Sequence, residues 1–372
     1  MKAIINFIKK ETVLSIAALL AVVSMLFVKP DKGYIDYIDY RVLALLFCLM
    51  AVVAAMQSIG LFKGLGISLL RHAGTTRKLA AILIFLCFFC SMVITNDVAL
   101  ITFVPFAVMM LTMAEKKDLL IPVIVLQTIA ANLGSMLTPV GNPQNLYLYS
   151  VFGISMKDFL LMMLPLTVLS AIMLFASVLL IKKEKLVNIS ADSDMPTVPR
   201  GRLILYIILF LVCITCVLRL TDYRIMLVVV TAATLISDRS LFKKIDYFLL
   251  LTFVCFFVFI GNMERIPAIA GLMNRLITGR EIILGVAFSQ VISNVPTAIL
   301  LSGFTDNYQG LLYGVNIGGL GTLIASLASV ISFRCYSVTD NSSRGKYMLV
   351  FTLYNVVFLA LLLAAALVLS TQ

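Results

Sequence analysis

Residues 132–145 read N-L-G-S-M-L-T-P-V-G-N-P-Q-N, and this stretch decides the fold. It is flanked by two apolar runs, residues 119–131 and 146–154, so it interrupts what is otherwise a segment of membrane length. Gly134, Pro139, Gly141 and Pro143 break a helix there, while Asn132, Asn142 and Asn145 bring in amide side chains. In lipid each unpaired backbone group costs several kcal/mol, so irregular backbone survives at that depth only where protein buries it or a wet cavity adjoins it. A discontinuous helix around a solute pathway meets that condition.

The stretch occurs twice. Residues 316–329, N-I-G-G-L-G-T-L-I-A-S-L-A-S, superpose on it 184 positions downstream as N-x-G-small-x-x-T-x-x-small, placing Asn316, Gly318, Gly319 and Thr322 on Asn132, Gly134, Ser135 and Thr138. A second pair of interruptions precedes the two copies in the same order. Thr95-Asn96-Asp97 breaks the apolar segment before the first, and Ser293-Asn294-Val295-Pro296 the segment before the second. Two matched pairs in one order point to an internal repeat.

Composition sets the class. With 62% hydrophobic residues, 13% charged and a mean hydropathy of +1.08 over 372 residues, the chain is an all-α polytopic membrane protein. Its charges sit almost entirely between apolar runs, so the net +11 reflects membrane topology and not nucleic-acid binding. The run 13–28 after Lys9 and Lys10 lacks a small-residue cleavage site and reads as a first span rather than a signal peptide. Cys87 and Cys90, like Cys213 and Cys216, have metal-like spacing but no His or charged partner, so they read as small apolar residues one turn apart. No metal and no cofactor is expected.

The pattern predicts two inverted repeats with about nine transmembrane spans, two re-entrant hairpins and two broken helices. The N-terminal repeat, 1–181, contains a hairpin at 79–114 and a broken helix at 119–154. A polar linker at 182–202 follows, and the C-terminal repeat, 203–372, contains a hairpin at 282–304 and a broken helix at 311–336. The first arm of the second hairpin, 282–292, rises only about 16 Å, half of a core about 30 Å thick, so its tip falls near the midplane. With the N-terminus and linker in the cytoplasm, 20 of the 29 Lys and Arg fall on cytoplasmic segments. This satisfies the positive-inside bias and sets the two hairpins opening to opposite sides. Inverted repeats with half-helices meeting at the midplane are a sign of secondary transporters. Two amphipathic pieces, 61–72 and 266–277, suit helices lying along the interface, and the lone His72 falls in the first as a solvated loop residue.

Thr95, Asn96 and Asp97 combine hydroxyl, amide and carboxylate oxygens of the kind hard cations take, and Asp97 is the acidic residue set deepest in a span. Two readings of Asp97 stand side by side: handling of Na⁺ or H⁺, and capping of the returning helix. Val295 replaces it in the second tip, so ion coupling is expected to be asymmetric. Candidate substrate-binding residues are Thr95, Asn96, Thr138, Pro139, Gly141, Asn142, Asn145, Ser293, Asn294, Thr297, Gly318, Gly319, Thr322 and Ser326. Candidate coupling-ion residues are Thr95, Asn96, Asp97, Asn132, Asn142, Asn294 and Asn316. No Lys or Arg lies at midplane depth, so an anion would be held by helix termini, amides and hydroxyls beside a co-bound cation. A neutral solute is the other option. An intramembrane enzyme would need a nucleophile with a base, and Ser293 has no His or Lys beside it in sequence; no P-loop motif occurs either.

The tip Thr95-Asn96-Asp97 with Pro105 behind it, the run Gly134 to Asn145, Ser293-Asn294-Val295-Pro296-Thr297, and the run 316–329 together resemble the ion transporter superfamily over nearly the whole chain. That group includes divalent-anion:sodium symporters, citrate permeases, arsenite permeases and sodium/proton antiporters, and the chain looks most like short bacterial inner-membrane permeases. The resemblance implies a secondary transporter of a small organic carboxylate or inorganic oxyanion coupled to Na⁺ or H⁺. Arsenite or antimonite efflux and Na⁺/H⁺ antiport are its alternatives. It implies that the tips, Thr95 to Asp97 and Ser293 to Val295, and the breaks, 138–145 and 318–326, bind solute and ion. It also implies a homodimer with an elevator-like movement in an inner membrane. Neither tip is Ser-Asn-Thr, so dicarboxylate specificity does not carry over.

Overall fold

A computed structural model describes residues 11–70, 73–186, 198–339 and 342–371. Lys9, Lys10, His72 and the central linker 187–197 lie outside the described residues. The chain folds as helices throughout. Helices α1 (Thr12–Phe27), α2 (Tyr40–Ser58) and the short α3 (Leu61–Leu70) come first. A hairpin of α4 (Thr76–Cys90) and α5 (Asn96–Met113) follows, then a helix broken into α6 (Leu120–Ser135) and α7 (Pro143–Val151), then α8 (Met156–Leu179). Past the linker come α9 (Arg200–Val217), α10 (Tyr223–Ser237), α11 (Tyr247–Glu264) and α12 (Pro267–Ile277). The second hairpin is α13 (Glu281–Ile292) with α14 (Asn294–Ser302), the second broken helix α15 (Tyr308–Ile317) with α16 (Leu327–Ser337), and α17 (Arg344–Leu369) ends the described chain.

Among the described residues seven helices are long and apolar enough to cross a membrane, against about nine expected. The difference lies in length. Helices α1 and α10 have 16 and 15 residues, a rise of about 24 and 22 Å, short of a core about 30 Å thick. The halves of the second broken helix, 10 and 11 residues, are shorter still. The hairpins also differ from one another: α5 has 18 residues and qualifies as a span by itself, whereas its counterpart α14 has nine.

Short polar side chains start many of these helices, as their chemistry predicts. Asp39, Thr75, Ser155 and Asp246 each accept a hydrogen bond from the amide three residues on, which satisfies one of the amides a helix start leaves open. The interior is apolar, with α6 almost wholly buried between its neighbours. Asn262 on α11 donates to Ser24 Oγ and Tyr34 Oη, both at 2.8 Å, which fastens α1 to α11 inside that apolar packing.

Contacts sort the loops into two faces. On one face Thr76 Oγ1 donates to Lys182 O at 2.6 Å, Arg77 Nε to Ile181 O at 2.9 Å, and Lys116 pairs with Glu184 at 2.6 Å. The start of the linker is thus clasped across the mouth of the first hairpin instead of running free. On the other face Arg219 donates to Gly153 O at 3.0 Å, and the rings of Phe152 and Tyr308 meet with centroids 5.9 Å apart. There Thr305 and Asn307 donate to the Glu281 carboxylate, closing the mouth of the second hairpin. The two hairpins therefore open on different faces.

The clasp yields a test. The hydrogen bond and charge of Lys116, with those of Lys182, hold the Glu184 carboxyl below its ordinary value of 4.5, and the same pairing raises Lys116. A depressed carboxyl stabilises the fold above its unfolded pKa and loses that contribution as pH falls through the folded one. Glu184→Gln is therefore expected to lower the melting temperature at pH 7 and to leave it unchanged near pH 3. Because both partners are partly exposed, the difference at pH 7 is small and shrinks in high salt. Melting curves at the two pH values check this.

Candidate functional site

The first break is built by amides that satisfy backbone groups. Asn142, in extended conformation, accepts from Asn145 N at 2.9 Å and caps α7, whose first residue is Pro143. Asn145 Nδ2 turns back and donates to the carbonyls of Ser135, Met136 and Thr138 at 3.4, 3.2 and 3.3 Å, covering the end of α6. Two glycines make the fold-back sterically feasible. A Cβ on Gly141 would lie 2.1 Å from Ser135 O, and one on Gly134 would lie 2.0 Å from Phe88 O.

The second break is closed by a side chain from the hairpin. Gln290 Nε2 on α13 donates to Gly318 O and Leu320 O at 3.0 and 2.9 Å, and its Oε1 accepts from Thr322 N at 2.8 Å. Gln290 thus does for this break what Asn145 does for the first. Nothing in the motif alignment pointed to it, because it lies outside both copies.

The tips then dock on the breaks. Asn96 N donates to Gly141 O at 3.1 Å, Asn96 Nδ2 donates to Asn132 Oδ1 at 2.9 Å, and Thr138 Oγ1 donates to Met92 O. In the second half Ser293 Oγ donates to Ala325 O at 3.3 Å, and Gly319, lacking a Cβ, admits the Asn294 amide. Ser293 holds a φ of +76°, a left-handed value unusual for a residue with a side chain, at the turn between the two arms.

The two halves are joined through four asparagines. Asn132 Oδ1 also accepts from Ser326 Oγ at 3.0 Å, and its Nδ2 donates to Gly319 O at 3.4 Å. Asn316 Nδ2 donates to Asn145 Oδ1 at 2.7 Å, while Asn142 Nδ2 donates to Asn316 Oδ1 at 3.2 Å. All four interruptions therefore meet in one buried place.

At that place lies a small cavity of about 10 Å³, room for roughly one water, lined in part by Asn96, Asp97, Gln144, Asn294, Ser326 and Leu327. These residues begin helices. Asn96 opens α5, Pro143 and Gln144 open α7, Asn294 opens α14, and Ser326 precedes α16, so four helix N-termini converge on one point. Each N-terminus presents the positive end of a helix dipole, although several first amides are already engaged: Asn96 N by Gly141 O, Asp97 N by Asn96 Oδ1 and Asn145 N by Asn142 Oδ1. Asp97 Oδ1 is buried there without a hydrogen-bond partner among the described residues. No Lys or Arg lines the cavity.

Comparison with known proteins gives the family. A family model described as Citrate transporter matches residues 3–309. The chain belongs to that family. It is a family of membrane transporters and not of enzymes. Among curated proteins the chain is 30% identical over 331 residues to an uncharacterized transporter of Methanocaldococcus jannaschii, covering 88% of this chain and 90% of that one. It is 31% identical over 316 residues to the inner membrane protein YbiR of Escherichia coli, covering 82% of each. A silicon efflux transporter of Oryza sativa subsp. japonica is 33% identical over 139 residues, which is 37% of this chain and 28% of that one.

Within this citrate-transporter-family chain, the sequence candidates divide by position. Asn96, Asp97, Ser293, Asn294 and Ser326 line the cavity. Asn132, Gly141, Asn142, Asn145, Asn316, Gly318 and Gly319 form the scaffold directly behind it. Thr297 donates to Ser293 O at 2.8 Å within its own helix, and Thr322 is exposed and tied to Gln290. Thr95 is the N-cap directly before Asn96, and Pro139 lies in the turn that leads to Gly141. Leu249, which closes the cavity from α11, carries no polar handle and no motif, so sequence offered no sign of it.

Proposed function

We propose that this secondary transporter moves a small anion, an organic carboxylate or inorganic oxyanion, across an inner membrane with its N-terminus in the cytoplasm. Transport is coupled to Na⁺ or H⁺ through Asp97. The observation that carries this reading is the convergence of four helix N-termini on the cavity. Such termini bind anions through amides and dipole ends without any basic side chain. The two repeats, oppositely oriented, bring two N-termini each. The cavity at about 10 Å³ is a closed form; solute enters when the hairpin tips and breaks move apart. Asp97 supports the coupling role because its Oδ1 is the buried polar side-chain atom lining the cavity that has no partner among the described residues.

A second reading, export of a neutral oxyacid such as arsenous or silicic acid, is favoured by the lack of Lys or Arg in the cavity wall and by the partial likeness to a silicon efflux transporter. Proteoliposomes loaded against citrate, phosphate, sulfate, arsenite and silicic acid, under imposed Na⁺ or pH gradients, separate the two. The anion reading expects a carboxylate or oxyanion to be accumulated; movement of arsenite or silicic acid alone overturns it. For the solute moved, Asp97→Asn is expected to preserve exchange between the two sides while abolishing accumulation driven by the ion gradient. Unchanged accumulation would remove Asp97 from the coupling role.

A further inference from the structure

A second and larger cavity lies away from the transport site, between α5, the turn that follows it, and α16. Its volume is about 520 Å³, within the range of small-molecule sites, and it shares no lining residue with the transport cavity. Pro105, Met109 and Met113 form one wall along α5, and Cys335 and Val338 form the other. Among the described residues that line it, Lys117 is the one that is charged.

The shape follows from the sequence. Pro105 inside α5 has no amide to give the carbonyl one turn back, and its ring keeps neighbouring chain at a distance. From Pro105 the groove runs eight residues to Met113, about 12 Å along the helix. Past the end of the helix and the left-handed Glu115 it ends at Lys117, beside the loop face where Lys116 pairs with Glu184. The result is an apolar trough that starts well inside the membrane and finishes at a cation on its surface. Lys116 is engaged by Glu184, and Glu115 and Asp118 bear on Lys116, but neither acid lines the groove. Lys117 makes no ion pair among the described residues.

We propose that this groove holds an acyl chain of an anionic phospholipid whose phosphate rests against Lys117. Charge complementarity selects the occupant. A neutral chain or an apolar helix would leave the cation unused, whereas a lipid with a net negative headgroup supplies the tail for the trough and the charge for its end. The face is the one that the Lys and Arg distribution assigns to the cytoplasm, where anionic lipids act on basic residues close to the surface. The two walls are an arm of the first hairpin and the second half of the second broken helix, so a bound lipid bridges the two repeats on that side.

The test uses the full chain purified in detergent, with phosphatidylglycerol or phosphatidylcholine added as mixed micelles and melting followed for each. Because a ligand bound to the folded state alone raises melting, phosphatidylglycerol is expected to raise the melting temperature by about 3 °C more than phosphatidylcholine. Lys117→Gln should erase that preference, and Lys183→Gln, which alters a cation outside the groove, should keep it. Met109→Trp and Val338→Trp should each fill the trough and erase the preference too. Both positions face outward, 37% and 85% exposed, so folding tolerates them. Soluble glycerol phosphate should have no effect. Equal stabilisation by the two lipids in the wild type overturns the proposal, as does a preference that survives Lys117→Gln or both tryptophan substitutions. If the tryptophan variants instead turn a larger assembly into a monomer in lipid-free detergent, the groove seats a second copy and the lipid proposal fails.

Discussion

Asn132→Ala is expected to reduce the initial transport rate by about 100-fold or more. Asn132 sits at the end of α6, where it accepts from Asn96 of the first tip and Ser326 of the second break, and donates to Gly319 O. Alanine leaves all three groups buried without their partner, and each such orphan costs about 1–3 kcal/mol. A rate falls tenfold for each ~1.4 kcal/mol lost from the productive geometry, so the low end of that sum, about 3 kcal/mol, removes two decades. Asn132→Asp keeps the acceptor and loses the donor, and it should retain more activity than alanine. Initial rates in proteoliposomes, normalised to inserted protein, make the comparison; equal rates for wild type and alanine would show that the junction of the halves is not used in transport.

Gly134→Ala should produce the largest loss of stability from a single methyl group. The added Cβ would stand 2.0 Å from Phe88 O and 2.6 Å from Ser91 Oγ, closer than real side chains approach. The nearer obstacle is backbone, so α4 must shift away from α6. Overpacking of this kind costs about 1–3 kcal/mol, and a rigid backbone obstacle sets it at the upper end. Melting should fall by at least about 3 °C, with loss of protein from the membrane fraction. Gly271→Ala and Gly345→Ala provide the contrast: their Cβ atoms meet nothing within 4 Å, and alanine in a helix is favoured over glycine. These two should melt at or above the wild type.

Much of this site was legible in the sequence because its causes are local. Pro139, Gly141 and Pro143 cannot continue a helix whatever surrounds them, so the first break was fixed before any packing was known. The pairing of Asn132 with Asn316 followed from the repeat, and both lie at the junction of the halves. What the sequence could not reveal depends on distance in space. Asn145 reads as a ligand for solute, but its amide is spent on three carbonyls at the end of α6. Gln290 belongs to the hairpin, and only folding brings it to the second break. Thr297 has a hydroxyl in the right region, yet an intrahelical carbonyl claims it. The span count differs because hydropathy counts apolar runs as spans whatever their length, whereas α1 and α10 have 16 and 15 described residues, short of a core about 30 Å thick.

The central claim is that the two tips and two breaks make one transport site. For the first solute that the wild-type protein moves in proteoliposomes, the decisive measurement is the initial rate of Asn96→Ala and of Asn294→Ala, each with its melting temperature. The account predicts that both rates fall by about 100-fold while each variant still melts as a folded protein. Rates within about twofold of the wild type for both variants would contradict it.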